Sequence, residues 1–313
     1  MMNNKGIEMR STLSAGILVL TLLAAMGCGS SEEPDTTAPG APTGLSATAG
    51  NDEIVLGWDA SDAEDFSHYL VYQGTSEALM SVLPDEPDTT GLTITTGLVD
   101  GTTYFFGVSA VDEAGNESSR TGPVQAVATS DAYKTSLGWS DFQAEDYNAA
   151  SAHFQDALTM NDSYADAHLG LGWSRAYLGQ LADAVSSLHA ANNNGLSAPD
   201  AHAGLAVVYR DLPELNACVS RAAMVLSADP AWEFSHRSSI DYQDMHLVRA
   251  QAYYRMGPLN YPDAQGEVDI LDPSNGLDPA DPGTWTVDGQ DYPSYAEALL
   301  KAIELLAVTV GTP

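Results

Sequence analysis

The chain has 313 residues and is strongly acidic, with 43 aspartate and glutamate residues, 11 lysine and arginine residues and a formal net charge of −32. A nucleic-acid backbone binds proteins through lysine and arginine, so this balance excludes nucleic acid as an expected partner. The acidity is typical of a solvated surface in salt, and the alternative is a surface that recruits cations or basic partners. The length is enough for two ordinary domains.

The first residues have the composition of an export signal. Lys5 and Arg10 give the beginning of the chain positive charge, and an apolar run follows at 13–26. This run is shorter than the about 20 residues that are needed to span a bilayer. The stretch LLAAMGC resembles the lipobox of bacterial lipoproteins, in which the chain is cut before the cysteine and lipid is attached to it. The resemblance implies a signal peptide at 1–27 and lipidation at Cys28. The alternative is an ordinary signal peptide followed by an unrelated cysteine.

The residues after Cys28 extend this expectation. Gly29 stands where an aspartate would, by analogy with the lipoproteins, favour retention at the inner membrane. We therefore expect a bacterial cell-envelope protein, lipid-anchored at the outer membrane or cell surface. Residues 28–40 are small, acidic and proline-containing, which predicts a flexible tether. If Cys28 carries lipid, Cys218 has no partner, and no disulfide is expected.

Residues 41–130 follow the period of two that is typical of strands. Six runs alternate with Gly, Asp and Asn clusters, at 44–50, 53–58, 68–74, 92–98, 102–111 and 123–129, and predict an all-β sandwich. The phrases APTGLSA, YLVY and LVDGTTYFFGVSAVDEAGNES resemble a fibronectin type III domain. The resemblance implies that Trp58 is the buried core tryptophan and that Tyr104 forms the tyrosine corner. Because no RGD tripeptide or aromatic cluster marks a ligand site, we expect a spacer or docking module.

Residues 131–313 change to a helical period and repeat at an offset of 34 residues. The phrases DAHLGLGW at 166–173 and DAHAGLAV at 200–207 are nearly the same, and Gly138 and Trp139 recur as Gly172 and Trp173. This period resembles the tetratricopeptide repeat, which implies an all-α solenoid with two-helix units at 131–163, 164–198 and 199–230. The small residues let paired helices approach closely. Cys218 falls where the other units have alanine, so we interpret it as a core residue and not as a reactive thiol.

The repeated histidines suggest a metal site, but their separation does not fit one. Equivalent positions in neighbouring repeat units lie about 10 Å apart. Zinc holds its ligands at about 2.1 Å, so His168 and His202 cannot share one ion. We interpret them as packing or interface residues.

The end of the helical domain is harder to interpret. A degenerate fourth unit is expected to pair the helix at 242–256 with the last helix at 292–308. The segment between them, 257–291, is rich in Asp, Gly and Pro and is predicted to be a long insertion. Because the spacing of an EF-hand is absent, a solvated loop is favoured there over a weakly indicated Ca²⁺ site. We expect no other cofactor and no metal site.

The repeat resemblance also implies where a partner would bind. In that family the first helix of each unit lines a concave groove that receives a peptide or a partner's helix. By this resemblance, the positions that face the groove are Trp139 and Phe142, then Trp173 and Ala176, with Tyr177 adjacent. Arg175 and Arg210 are the basic residues on the first helices of the two middle units. The partner-binding candidates are therefore Trp139, Phe142, Trp173, Tyr177 and Arg210. The alternative is that the aromatic residues are covered by the last helix or the sandwich. Because these helices carry few basic residues, neutral or basic partners are favoured over acidic ones.

Three classes of function remain open at this stage. The chain has no Gly-Xaa-Ser-Xaa-Gly elbow, no HExxH and no phosphate-cradling loop, so we expect no catalytic residues and no enzyme. The favoured hypothesis is a protein-interaction scaffold that binds a protein or peptide partner in the cell envelope through its groove. The alternative is a surface glycan- or nutrient-binding lipoprotein whose aromatic groove stacks on sugars.

Overall fold

The computed structural model describes residues 34–196 and 199–310. Cys28 and the expected signal peptide lie outside the described residues, so their assignments stay predictions. Within the described ranges, every helix is too short or too polar to cross a membrane.

The first domain is a sandwich of two antiparallel sheets. The three-stranded sheet has the order β1-β2-β5, and the four-stranded sheet has the order β4-β3-β6-β7. The strands are β1 (Ser46–Ala49), β2 (Ile54–Gly57), β3 (Phe66–Gly74), β4 (Ser81–Val82), β5 (Gly91–Ile94), β6 (Thr103–Asp112) and β7 (Thr121–Val127). All six predicted strands are present. The sequence pattern missed β4 because it has only two residues, both exposed.

Two aromatic residues of the sandwich have the roles that the sequence resemblance implied. Trp58 is buried in the core, where its ring meets Tyr69 edge to face at a centroid distance of 5.3 Å. The Tyr104 hydroxyl donates to the carbonyl oxygen of Gly97 and accepts from the backbone N–H of Val99, both at 3.1 Å. The tyrosine corner is therefore confirmed.

The second domain contains nine helices in its described part. They are α1 (Asp131–Gln143), α2 (Tyr147–Met160), α3 (Ala165–Tyr177), α4 (Leu181–Asn193), α5 (Pro199–Asp211), α6 (Leu215–Ala228), α7 (Tyr242–Arg255), α8 (Tyr261–Leu271) and α9 (Tyr295–Val310). Consecutive helices pack as the pairs α1/α2, α3/α4 and α5/α6, and α1, α3 and α5 also contact one another in turn. We call the face formed by these three helices the α1–α3–α5 surface.

Small residues set the close spacing of these helices. A Cβ atom on Gly170 would lie 2.1 Å from Cζ of Phe154, and one on Gly172 would lie 2.6 Å from Cγ of Leu188. Cys218 is also fully buried. Burial raises the pKa of its thiol to about 12 although Arg210 and Arg255 act to lower it, so the thiol stays protonated.

The prediction for the end of the chain was wrong in two respects. Helix α7 packs against both α6 and α8, of which α8 falls inside the predicted insertion, and α9 packs across α7 and α8. Helix α8 forms because Pro262 occupies its first turn, where its missing N–H costs nothing, and because Ala264 and Val268 are buried on one face. Beyond α8, a two-stranded hairpin joins β8 (Thr286–Val287) to β9 (Gln290–Asp291).

The two domains meet at the first turn of α1. Ser130 caps this helix by accepting from the backbone N–H of Tyr133 at 3.0 Å, and its hydroxyl donates to Asp100 of the sandwich at 2.7 Å. The backbone N–H of Asp131 donates to Asn51, also in the sandwich, at 2.8 Å. Two backbone N–H groups that a helix start leaves without helical partners are thus bound at the junction.

The glycine spacing gives a testable prediction. We expect Gly170→Ala to lower the free energy of unfolding by about 1–3 kcal/mol, because the added methyl overlaps the ring of Phe154 in a packed core. The matched control is Gly266→Ala in α8, where a Cβ meets nothing within 4 Å. Because alanine favours helix, the control should be neutral or gain about 0.5–1 kcal/mol. Denaturant unfolding followed by circular dichroism measures both, and equal effects would contradict the packing described.

Candidate functional site

The structure brings together four of the five residues that were predicted to bind a partner. Trp139 and Phe142 of α1 lie edge to face at a ring-centroid distance of 5.5 Å. Phe142 also meets Tyr177 of α3 at 5.6 Å. Trp173 of α3 belongs to the same buried cluster. The α1–α3–α5 surface is therefore aromatic, as the sequence pattern indicated.

This aromatic surface is already occupied by the chain itself. Residues 229–241, which connect α6 to α7 and which we call the groove segment, lie across it. The ring of Phe234 stacks on Trp173 at a centroid distance of 4.7 Å, and His236 stacks on Trp139 at 3.5 Å with the planes nearly parallel. Burial lowers the pKa of His236, with partial opposition from Asp166 and Asp200, so the stacked imidazole is neutral near pH 7.

The expectation of an open groove is thus wrong for three of the predicted partner-binding residues, because their side chains are buried. Trp139 is 6% exposed, and Phe142 and Trp173 are 0% exposed. The physical reason is the size of the aromatic faces, since each such side chain removes about 150–250 Å² from water when it is covered. The cover is the groove segment, and neither the last helix nor the sandwich provides it.

Asp200 holds the groove segment in place, and Asp166 binds the tryptophan that the segment covers. Asp200, at the start of α5, accepts from Nε1 of Trp232 at 2.7 Å and from the hydroxyl of Ser235 at 2.8 Å. Asp166, at the equivalent place in α3, accepts from Nε1 of Trp139 at 3.1 Å. A buried indole N–H needs an acceptor, and these carboxylates supply it.

The contacts of these aspartates were not predicted from the sequence. Each of the two repeated phrases begins with an aspartate, and the histidine two residues later was considered as a metal ligand instead. His168 and His202 make separate local contacts: Nε2 of His168 lies 2.8 Å from the carbonyl oxygen of Asp162, and Nδ1 of His202 lies 3.2 Å from Arg221. Each aspartate follows a tryptophan by 27 residues, but the two contacts differ: Nε1 of Trp139 donates to the carboxylate of Asp166, and Nε1 of Trp173 donates to the backbone carbonyl oxygen of Asp200.

Arg237 fixes the far end of the groove segment. Its guanidinium donates to the hydroxyl of Tyr147 and to the carbonyl oxygen of Phe142, both at 3.0 Å. It also lies 5.3 Å from the ring centroid of Tyr177, which stacks on Tyr147 at 4.4 Å. Burial raises the pKa of Tyr177 although Arg237 acts to lower it. Tyr177 therefore contributes to an internal contact, although it is only partly buried.

Arg210, the fifth predicted residue, belongs to a different part of the surface. It pairs with Asp211 through Nε at 2.9 Å and Nη2 at 3.2 Å, and it lines a cleft between α5, α7 and α9. A second cleft, of about 380 Å³, lies on the other side of α9 against α8 and the hairpin. The exposed apolar side chains of the helical domain concentrate in this last part of the chain: Leu259 (94%), Ile270 (54%), Leu300 (37%) and Val308 (84%), with Met224 (47%) elsewhere.

Carboxylates that could hold a cation meet where the residues before the sandwich contact it. In the described part of the chain, one group of three has ligand atoms within 4.8 Å of one another, and it comprises Asp35, Asp65 and Asp112. Asp112 already accepts from N and Nδ2 of Asn116, both at 2.8 Å. Burial would raise the pKa of Asp112, but these and neighbouring backbone hydrogen bonds lower it overall. In the 257–291 segment, Asp278 and Asp281 accept from backbone N–H groups of their own turns.

Comparison with known proteins identifies the sandwich. Residues 40–127 match the family model of the fibronectin type III domain, so this part of the chain is such a domain. Chitinase A1 of Niallia circulans is 42% identical over 93 residues, which cover 29% of this chain and 12% of that protein. A chitinase of Paenibacillus xylanexedens is 36% identical over 115 residues, covering 36% of this chain and 19% of that protein.

These similarities are limited to a minor part of each relative. The chain spans less than a fifth of the length of both chitinases. Among solved structures, a fibronectin-type-III-like protein from Clostridium thermocellum is 29% identical and covers 28% of this chain and 92% of that chain, with a TM-score of 0.25. The similarity therefore concerns the sandwich and assigns no activity to the whole chain.

The hydrogen bonds of Asp200 give a second testable prediction. We expect Asp200→Ala to lower the free energy of unfolding by about 1–3 kcal/mol, because the indole N–H of Trp232 loses its acceptor in a buried place. Quenching of tryptophan fluorescence by acrylamide should also increase as the groove segment loosens. The control is Asp162→Ala, which removes an exposed carboxylate just before α3. If both variants matched the wild type, the carboxylate of Asp200 would not hold the segment.

Proposed function

We propose that this protein is a non-catalytic protein-interaction scaffold of the bacterial cell envelope, lipid-anchored at Cys28. In this proposal the fibronectin type III domain is a spacer, and the helical domain is a tetratricopeptide-like solenoid. The paired helices α1 to α6, their 34-residue period and the close approach at Gly170 and Gly172 support a solenoid. The hydrogen bonds at Ser130 and Asp131 support a spacer that orients the helices.

The proposal moves the binding surface from the groove to the end of the helical domain. One observation carries this step: the aromatic groove is filled, whereas Leu300 and Val308 of α9 are exposed. Leu300 and Val308 together present apolar surface of α9 to solvent. Exposed apolar side chains on that face mark an interaction surface.

The glycan-binding alternative has less support. It required Trp139 and Trp173 to stack on sugar rings, and both are buried under the groove segment. The sequence similarity to chitinases lies in the fibronectin type III domain. No observation on the helical domain favours a sugar over a protein partner.

Site-specific photo-crosslinking in intact cells tests the proposal. A photoreactive residue replaces Val308 or Leu300 in the full-length protein, and the matched control replaces Leu79 of the sandwich, which is 78% exposed. We expect the same discrete protein adduct from both α9 positions and none from position 79. The adduct at 300 should disappear when Val308→Asp is added, because a charge on this face cannot be desolvated. Equal adducts at position 79, or none at α9, would contradict the proposal.

A further inference from the structure

The cleft between α5, α7 and α9, which we call the α9 cleft, has the size and composition of a small-ligand site. Its volume is about 440 Å³, within the range of about 300–1,000 Å³ that ligand pockets occupy. Helix α9 contributes the apolar side chains of Leu300, Ile303 and Ala307. Helices α5 and α7 contribute hydrogen-bond donors from Arg210 and Arg255.

The charges of the cleft leave one cation uncompensated. Arg210 pairs with Asp211 at 2.9 Å, and Glu304 pairs with Lys301 at 3.7 Å. Arg255 donates to the carbonyl oxygen of Arg210, and no carboxylate of the described residues lies within 4.0 Å of its guanidinium. Arg255 is also an exposed residue, so its side chain is accessible to an anionic ligand in the cleft.

Arg210 takes part in this arrangement without offering a free donor to a ligand. Its Nε and Nη2 atoms donate to Asp211, and its Nη1 atom is buried. The cleft thus combines the guanidinium of Arg255 with an apolar surface.

We propose that the α9 cleft binds a small monocarboxylate with an apolar body. The carboxylate would accept from the guanidinium of Arg255, whose planar donors match its two oxygens, and the apolar body would lie against Leu300 and Ile303. Asp211 and Glu304 at the same cleft disfavour ligands with more than one negative charge, such as a phosphate monoester. This site shares Leu300 with the surface of the scaffold proposal, but it requires no protein partner.

Calorimetric titration of the purified protein tests the site with three probes of similar length: octanoate, octanol and octyl phosphate. We expect octanoate to bind with a 1:1 stoichiometry and at least about tenfold more tightly than octanol, which lacks the charge that Arg255 recognises. Octyl phosphate should also bind more weakly than octanoate. Arg255→Gln should weaken octanoate binding by about tenfold or more and leave octanol unchanged. The matched control is Arg120→Gln, an exposed arginine of the sandwich, which should leave all three affinities unchanged.

Covalent mapping locates the ligand without relying on a substitution. A diazirine analogue of octanoate should label peptides of α5, α7 and α9, and excess octanoate should suppress the labelling. The proposal is overturned if octanol binds as tightly as octanoate, if Arg255→Gln has no effect, or if labelling falls outside the cleft. Tighter binding of an acetylated dipeptide with a free C-terminus would also overturn it, by assigning the cleft to the end of a polypeptide. The photo-crosslinking test of the scaffold proposal at Val308 can succeed or fail whether or not octanoate binds the α9 cleft.

Discussion

The arrangement of the helical domain depends on covering one aromatic surface. The rings of Trp139, Phe142 and Trp173 all face the same side of α1 and α3, and exposing them to water would cost a large part of the stability of a domain this size. The groove segment solves this by adding Trp232 and Phe234 to the same cluster. The segment stays in this position because Asp200 accepts a hydrogen bond from the indole N–H of Trp232, and because Arg237 donates to the hydroxyl of Tyr147. Apolar burial supplies the driving force, and the polar contacts fix the position.

This solution changes where a partner can bind. A peptide that used the α1–α3–α5 surface would first have to displace a segment whose aromatic residues are buried, and it would have to replace the hydrogen bonds of Asp200. The C-terminal end presents no such barrier. Helix α9 has clefts on both sides and exposed Leu300 and Val308, so contact there removes apolar surface from water at no cost in internal packing.

The sequence predicted most of the fold because its strongest signals are local. The six longer strands alternate at a period of two, Tyr104 falls at its corner, and the 34-residue offset locates α1 to α6. The sequence did not predict how the groove is filled, since Phe234 lies about 60 residues from Trp173 and follows no repeat. Helix α8 was missed because proline and aspartate dominate its neighbourhood, although Ala264 and Val268 carry the helical spacing. The importance of Asp200 could be recognised only once Trp232 was placed beside it.

Amide hydrogen exchange of the groove segment tests the central claim most directly. The N–H of Phe234 donates to the carbonyl oxygen of Ile240 at 2.8 Å, and the N–H of Tyr242 donates to that of Trp232 at 2.7 Å. If the segment is a permanent part of the core, these amides should exchange as slowly as those in the middle of α3, because both open only with the domain. Exchange as fast as in an exposed loop, with α3 still protected, would show that the segment leaves the surface readily, and the aromatic groove would again become the expected binding site.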